Sequence, residues 1–132
     1  MLRIPSPLSS DLEEIVHRTI GCCIEVHRVL GTGLLELPYS KATGIELTTN
    51  GIAYEREKEY VVSYRGQPLC HHRVDFVVDG RLLLELKAVD RLTAIHRAQV
   101  LSYLRLSKLP VALLINFDEV VLKNGINRII LC

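Results

Sequence analysis

Three charged side chains stand inside two apolar segments of the sequence. Asp75 lies in "VDFVV", Glu85 and Lys87 lie in "LLLELKAV", and Asp79-Gly80 separates the two segments. Apolar runs around Asp-Gly are typical of a β-hairpin. Two carboxylates close together in an apolar setting repel each other, and a divalent cation relieves that repulsion. The pattern therefore indicates a Mg²⁺ site whose lysine orients a water or stabilises charge on a phosphate, which suits hydrolysis of a phosphodiester.

The length of the hairpin loop decides whether these charges can meet. Strand side chains alternate between faces, so a two-residue loop pairs Asp75 with Leu84 and sends Glu85 to the opposite face. We predict an odd-length loop, such as a three-residue turn with glycine in the left-handed conformation, which places all three charges on one face. The other face is then wholly apolar and consists of Val74, Phe76, Val78, Leu82, Leu84, Leu86 and Ala88. The alternative is an exposed cross-strand salt bridge, because a D-x9-E-x-K spacing also arises by chance.

The surrounding segments predict both helices and strands. A capping box at Ser10–Glu13 begins a helix that Gly31 ends, and a second helix follows from about Leu35 to Asn50. Strands are predicted in "AYEREKEYVVSYRG", "CHHRVDFVV", "RLLLELKAV", "PVALLINF" and the terminal "NGINRIILC", with "QPL" as a turn. "LTAIHRAQVLSYLRLS" is predicted to be a helix, with Ile95, Ala98, Val100 or Leu101, and Leu104 facing the core. The order ααβββαβ(β) predicts an α/β fold with a mixed central sheet flanked by helices.

Composition limits the classes of function. The chain has 132 residues, which predicts an N-terminal extension (residues 1–10) and a single domain (residues 11–132). Its net charge of +1 gives no general attraction to nucleic acid, so binding would need a local basic patch. No apolar run is long enough to span a membrane and no signal peptide is evident, so we expect a cytoplasmic protein without a membrane partner. The four cysteines lack C-x-x-C spacing, which disfavours zinc or iron–sulfur sites and favours buried free thiols.

Several sequence motifs resemble those of a known enzyme family. Asp75…Glu85-Leu86-Lys87 resembles the PD-(D/E)XK nuclease signature, and "GLLELPY" (residues 33–39) resembles the motif that names the GxxExxY family within that superfamily. Gln99-x-x-x-Tyr103 is similar to the Q-x-x-x-Y motif of RecB-like nucleases. The resemblance covers about residues 11 to 131. It implies the restriction-endonuclease-like αβββαβ core with an extra N-terminal helix.

The resemblance also implies roles for individual residues. It implies cleavage of DNA that depends on Mg²⁺ or Mn²⁺, with Asp75 and Glu85 as metal ligands and Lys87 as the catalytic lysine. Glu36 would be a further acidic ligand, direct or through water. The residues implied to contact the substrate are His96, Gln99, Tyr103 and Tyr39. Among the basic residues that could form a phosphate-binding rim, Arg73 is the best placed, two residues before Asp75. Pro38 departs from the usual continuation after the glutamate, and Val74 replaces the proline of the "PD" pair.

Each of these residues also has a structural interpretation. Glu36 could be a helix N-terminal acid favoured by the macrodipole. Tyr39 and Tyr103 could be core aromatics with hydrogen-bonded hydroxyls. His96 could be a polar residue of the first helical turn, and exposed arginines such as Arg73 usually serve solubility.

Two functions of different classes follow from the sequence. The first is a metal-dependent deoxyribonuclease, which is structure-directed or end-directed, or is instead delivered to DNA by a partner protein or by forming a homodimer. The second is a non-catalytic nucleic-acid-binding or regulatory subunit that retains the nuclease fold. A weaker third interpretation is a hydrolase of RNA or nucleotides.

Overall fold

A computed structural model describes residues 6–131 of the chain. Within that range the helices are α1 (Ser10–Leu30), α2 (Glu36–Thr49) and α3 (Ala94–Ser107), with a 3₁₀ turn at Leu122–Gly125. The strands are β1 (Tyr54–Tyr64), β2 (Gln67–Val78), β3 (Leu82–Lys87), β4 (Val111–Asn116) and β5 (Ile126–Ile129). Part of the predicted N-terminal extension, residues 1–5, and the thiol of Cys132 lie outside the described residues.

The five strands form one mixed sheet in the order β1-β2-β3-β4-β5. β1, β2 and β3 are consecutive antiparallel neighbours, β4 runs parallel to β3, and β5 is antiparallel to β4. The parallel pair requires a crossover, which α3 provides. The predicted α/β order, with a restriction-endonuclease-like arrangement of sheet and helices, is confirmed.

Helices cover both faces of the sheet. On one face, α1 and α2 pack against residues that include Phe76, Leu84 and Leu113. On the other face, α3 packs through Val100 and Leu104 against a smaller set of apolar side chains. All six residues of β4 are buried, as the continuous apolar run predicted.

Several local predictions from the sequence are wrong. Ser9, rather than Ser10, caps α1, because the Ser9 side chain accepts the Leu12 N–H at 3.2 Å. The turn before β2 is Arg65-Gly66, both with positive φ, and "QPL" belongs to the strand. Ile95 is 65% exposed because only the second half of α3 packs on the sheet.

Ala98, another predicted core position of α3, is also exposed. Among the cysteines of the described chain, Cys22 and Cys23 are buried free thiols as predicted, whereas Cys70 is exposed. No helix of residues 6–131 combines the length and apolar character needed to cross a membrane.

Candidate active site

The loop between β2 and β3 has three residues. Val78 pairs with Leu82, which leaves Asp79, Gly80 and Arg81 in the loop. Asp79 and Gly80 have φ values of 53° and 67°, and both residue types tolerate this left-handed conformation better than most. The predicted odd-length loop is confirmed. Continued past Phe76 and Leu84, the same register places Asp75 opposite Glu85.

Side chains replace the backbone ladder at that point. The paired residues of β2 and β3 end at Phe76 and Leu84. Beyond them, the Asp75 N–H donates to Glu85 Oε1 at 2.9 Å, and the Leu86 N–H donates to Asp75 Oδ2 at 2.8 Å. Both carboxylates therefore lie in the gap between the two strands. Within residues 6–131, the second oxygen of each carboxylate has no hydrogen-bond partner and remains able to accept another ligand.

The backbone of β2 is irregular at Asp75. Val74 packs on the α3 face and Phe76 on the α1–α2 face, although regular alternation would place both on one face. The expectation that Val74 shares the apolar face of Phe76 is therefore wrong. Opposite this point on β1, Glu57 has a φ of 57°, a conformation that costs a non-glycine residue about 1 kcal/mol or more. The irregularity allows the Asp75 side chain to enter the gap between β2 and β3.

Lys87 lies at the carboxyl end of β3, where contacts with β4 and Phe117 hold its backbone in place. Lys87 pairs with Asn116 of the parallel strand β4, and its carbonyl accepts the Phe117 N–H at 2.8 Å. The Asn116 side chain is fully buried; it accepts the Val89 N–H at 3.0 Å and donates to the Val89 carbonyl at 2.8 Å. In the described part of the chain, the Lys87 side chain has no ion pair, so its ammonium can serve a ligand.

Sequence reasoning missed the positioning role of Asn116. The sequence carried one signal of this role: Asn116 places an amide side chain at the end of the otherwise apolar run "VALLIN". A polar group buried in such a strand must be hydrogen-bonded.

Glu36 approaches the carboxylates from the first turn of α2. Gly33, with a φ of 97°, lies in the loop that leads into this helix. The pKa of Glu36 is raised, first by burial and then by the charge of Asp75, while Lys87 lowers it. Asp75 and Lys87 are thus the charged residues that influence Glu36, and its role as a metal ligand stays a prediction.

Burial dominates the electrostatics of the carboxylate pair. Burial and then the neighbouring Asp75 raise the pKa of Glu85 to about 8, and its side chain is only 5% exposed. Burial also raises the pKa of Asp75, whereas the Leu86 N–H and the charges of Lys87 and Arg56 lower it. Two carboxylates that ionise reluctantly in one place form a site that a cation would stabilise.

Tyr103 is the substrate-contact candidate whose electrostatics the carboxylates influence. Burial raises the pKa of its hydroxyl, and the charges of Glu85 and Asp75 raise it further. His72 of β2 packs against its ring, with centroids 5.2 Å apart. Sequence reasoning did not single out His72, whose only signal was its position three residues before Asp75.

Tyr39 lies in the core rather than at the carboxylates. It is fully buried and stacks on Phe117 with ring centroids 4.6 Å apart. Its hydroxyl donates to the Gly31 carbonyl at 2.7 Å and accepts the Leu34 N–H at 3.2 Å. This geometry supports the interpretation of Tyr39 as a core aromatic that closes the loop between α1 and α2.

The remaining candidates lie around the rim. His96 Nδ1 accepts the Thr93 N–H at 3.0 Å in a capping box, which supports its interpretation as a first-turn residue. Gln99 is exposed one helical turn before Tyr103. Arg73 is exposed and lies 3.6 Å from Glu59 on the neighbouring strand, so acidic side chains already partly satisfy it.

The donor set fits a hard divalent cation. Within residues 6–131, no three His, Cys, Asp or Glu side chains converge closely enough to hold a metal by themselves. Mg²⁺ commonly binds through one or two carboxylates and completes its shell with water and phosphate oxygens. The free oxygens of Asp75 and Glu85 match that requirement, whereas zinc would require more nitrogen or sulfur ligands.

Comparison with known proteins identifies the family. A search of curated proteins and a search of solved structures each gave no match. The family model described as the PD-(D/E)XK nuclease superfamily matches residues 13–129, which include Asp75, Glu85, Lys87 and every helix and strand that positions them. The chain therefore belongs to the PD-(D/E)XK nuclease superfamily.

Proposed function

We propose that this protein is a metal-dependent nuclease that hydrolyses phosphodiester bonds of DNA. The observation that carries the proposal is the carboxylate pair in the gap between β2 and β3. There Asp75 and Glu85 each use one oxygen to accept a backbone N–H and keep the other free, with Lys87 two residues beyond Glu85. A protein that only binds nucleic acid has no need to bury two carboxylates whose pKa values are raised by that burial.

The residues of the chain divide the work between holding a cation and handling the phosphate. Asp75 and Glu85 would hold Mg²⁺ or Mn²⁺, with Glu36 contributing through water. The cation, when bound, supplies charge neutralisation for the phosphate and activation of a water. The unpaired ammonium of Lys87 would donate a hydrogen bond to the attacking water or to a phosphate oxygen, where negative charge increases in the transition state.

Side chains on α3 would position the substrate strand. The charges of Asp75 and Glu85 influence the Tyr103 hydroxyl, and the exposed Gln99 amide lies one turn away on the same helix. Both groups can hydrogen-bond to phosphate and sugar oxygens, contacts that fix the register of a strand without reading its sequence. This arrangement favours structure-directed or end-directed cleavage over recognition of a base sequence.

Within the superfamily, we propose that the chain belongs to the GxxExxY family. The motif residues Gly33, Glu36 and Tyr39 support this assignment because each has a distinct place in one loop-to-helix unit. Gly33 has positive φ, Glu36 has a pKa that the charge of Asp75 helps to raise, and the Tyr39 hydroxyl ties the loop to the core.

A substrate panel tests the proposed activity. Single-stranded, duplex and branched DNA, together with RNA, are incubated with the protein and Mg²⁺, Mn²⁺ or a chelator, beside an Asp75→Asn variant. We expect cleavage of at least one DNA substrate that requires the cation and is lost in the variant. Metal-independent binding without any cleavage would contradict the proposal and would favour a non-catalytic nucleic-acid-binding subunit.

A further inference from the structure

A groove of about 470 Å³ lies between α2 and β1. Gly44 and Tyr54 are among its lining residues, with the exposed Ile45 beside them and Lys41 and Arg56 as its two cations. Among the described residues that line it, none is acidic. The groove therefore combines an apolar surface with positive charge, on a chain whose net charge is only +1.

Gly44 allows Tyr54 of β1 to approach α2 closely beside this groove. A Cβ at Gly44 would lie 3.3 Å from the Tyr54 hydroxyl. That hydroxyl is 3.0 Å from Thr48 Oγ1, which in turn donates to the Gly44 carbonyl at 3.0 Å. A glycine inside a helix costs about 1 kcal/mol relative to alanine, so this close approach of Tyr54 comes at the expense of helix stability.

Arg56 connects the groove to the carboxylate pair. It pairs across the sheet with Phe76, the residue that follows Asp75, and its guanidinium lies 5.8 Å from the Phe76 ring centroid. Arg56 Nη2 donates to Ser40 Oγ at 2.9 Å. Ser40 lies one turn beyond Glu36 on the same helix. Arg56 therefore links the groove to the helix that carries Glu36, through Ser40, and to the strand that carries Asp75, through Phe76.

The guanidinium of Arg56 retains donors for a ligand. Its bonds to Ser40 use Nε and Nη2, whereas within residues 6–131 Nη1 makes no hydrogen bond. Arginine forms forked hydrogen bonds to phosphate, and Lys41 adds a second positive charge at the other side of the groove. A ligand with an apolar planar part and an adjacent phosphate matches both features of this surface.

We propose that the groove between α2 and β1 binds an unpaired nucleotide of the substrate strand, next to the phosphate that is cleaved. The base lies against Ile45 and Tyr54, and Arg56 and Lys41 hold its phosphate. A paired base cannot enter such a groove, so the preferred substrate is single-stranded or has a frayed or overhanging end. This inference rests on the proposed nuclease function and names its substrate class.

Two exposed positions allow the groove to be tested without altering the carboxylates. Ile45→Glu and Lys41→Glu each place a carboxylate in the groove at helix-surface positions where glutamate is a good helix former. Ile24→Glu is the matched control, because Ile24 is a similarly exposed apolar residue on α1 outside the groove. Binding of a fluorescent oligothymidylate and of a blunt duplex is measured by anisotropy with Mg²⁺, all in a Lys87→Ala background that prevents cleavage.

We expect each groove variant to bind the oligothymidylate roughly fivefold or more weakly, and the control to stay within about twofold. Binding of the blunt duplex should weaken less than binding of the single strand. The inference is overturned if groove variants and control bind the single strand alike, or if the Lys87→Ala parent does not bind it.

The cleavage assay separates this inference from the proposed function. Cleavage of single strands by wild type that the groove substitutions leave unchanged would overturn the groove and retain the nuclease. Selective loss of binding in the groove variants, with no cleavage by any protein, would support the groove and contradict the nuclease.

Discussion

The buried carboxylate of Glu85 should destabilise the metal-free protein at alkaline pH. Burial and Asp75 raise its pKa from the ordinary 4.5 to about 8. Each unit by which a pKa moves corresponds to about 1.36 kcal/mol, so ionising this buried carboxyl lowers the free energy of unfolding by roughly 5 kcal/mol. Glu85 shares this penalty with Asp75, because the two carboxylates titrate as a pair. Such a penalty is comparable to the whole stability of many small domains.

The direction of the pH dependence follows from the two pKa values. In the unfolded chain Glu85 loses its proton near pH 4.5, whereas in the folded protein it keeps the proton until about pH 8. Between these pH values the folded state binds more protons, so the free energy of unfolding decreases as the pH rises. The contribution is fully present below pH 4.5 and is lost once the pH exceeds about 8.

A Glu85→Gln substitution removes this titration and keeps an oxygen that can accept the Asp75 N–H. We expect the variant to be more stable than wild type by roughly 2–3 kcal/mol at pH 9, about half of the shared penalty, and similar to wild type at pH 4.5. The measurement is urea unfolding across this pH range in the presence of a chelator. Glu14→Gln, at an exposed site on α1, serves as the control.

A bound cation should offset the destabilisation caused by ionised Glu85, and it should do so in wild type but not in Glu85→Gln. At pH 9, added Mg²⁺ should stabilise wild type by mass action and leave Glu85→Gln almost unchanged. The reasoning is refuted if the wild-type stability, measured relative to Glu85→Gln, stays flat between pH 4.5 and 9. It is equally refuted if the variant is less stable than wild type at pH 9.

Further substitutions test the positioning elements. Tyr39→Phe should lower the free energy of unfolding by about 1–3 kcal/mol, since it removes the hydroxyl bonds to Gly31 and Leu34. The folded variant should cleave DNA at a rate within about twofold of the wild-type rate. A large loss of cleavage rate without a matching loss of stability would instead indicate that Tyr39 contacts the substrate. Gly125→Ala should destabilise by about 2 kcal/mol or more in urea unfolding, because its Cβ would lie 2.5 Å from a backbone oxygen. Gly21→Ala, with no atom within 4 Å of its new Cβ, should instead stabilise by up to about 1 kcal/mol, and equal effects of the two substitutions would contradict the packing described.

The order of elements and the hairpin loop could be predicted because their signals are local. Apolar periodicity identified the helices and strands, and the need for Asp75 and Glu85 to meet required an odd-length loop at Asp79. The glycine that ends α1, Gly31, was likewise identified from its neighbours, and its φ is 70°.

Other features depend on packing between distant segments. The proximity of Arg56 to Asp75 arises from the register of β1 on β2, which the polar first half of β1 does not reveal. Val74 packs on the α3 face rather than the α1–α2 face where β2 is irregular, opposite Glu57 of β1 with its positive φ. The exposure of Ile95 reflects how far α3 overlaps the sheet, and helical periodicity alone gives no such information.

The most direct test of the account is the single-turnover cleavage rate of wild type and Lys87→Ala with saturating Mg²⁺. Lys123→Ala, at an exposed lysine of the 3₁₀ turn, is the matched control, since it removes the same charge from a residue outside the Asp75–Glu85–Lys87 set. We predict that cleavage requires the cation, that Lys87→Ala is slower by about 100- to 1,000-fold, and that the control cleaves like wild type. Equal cleavage rates in wild type and Lys87→Ala would contradict the assignment of the active site.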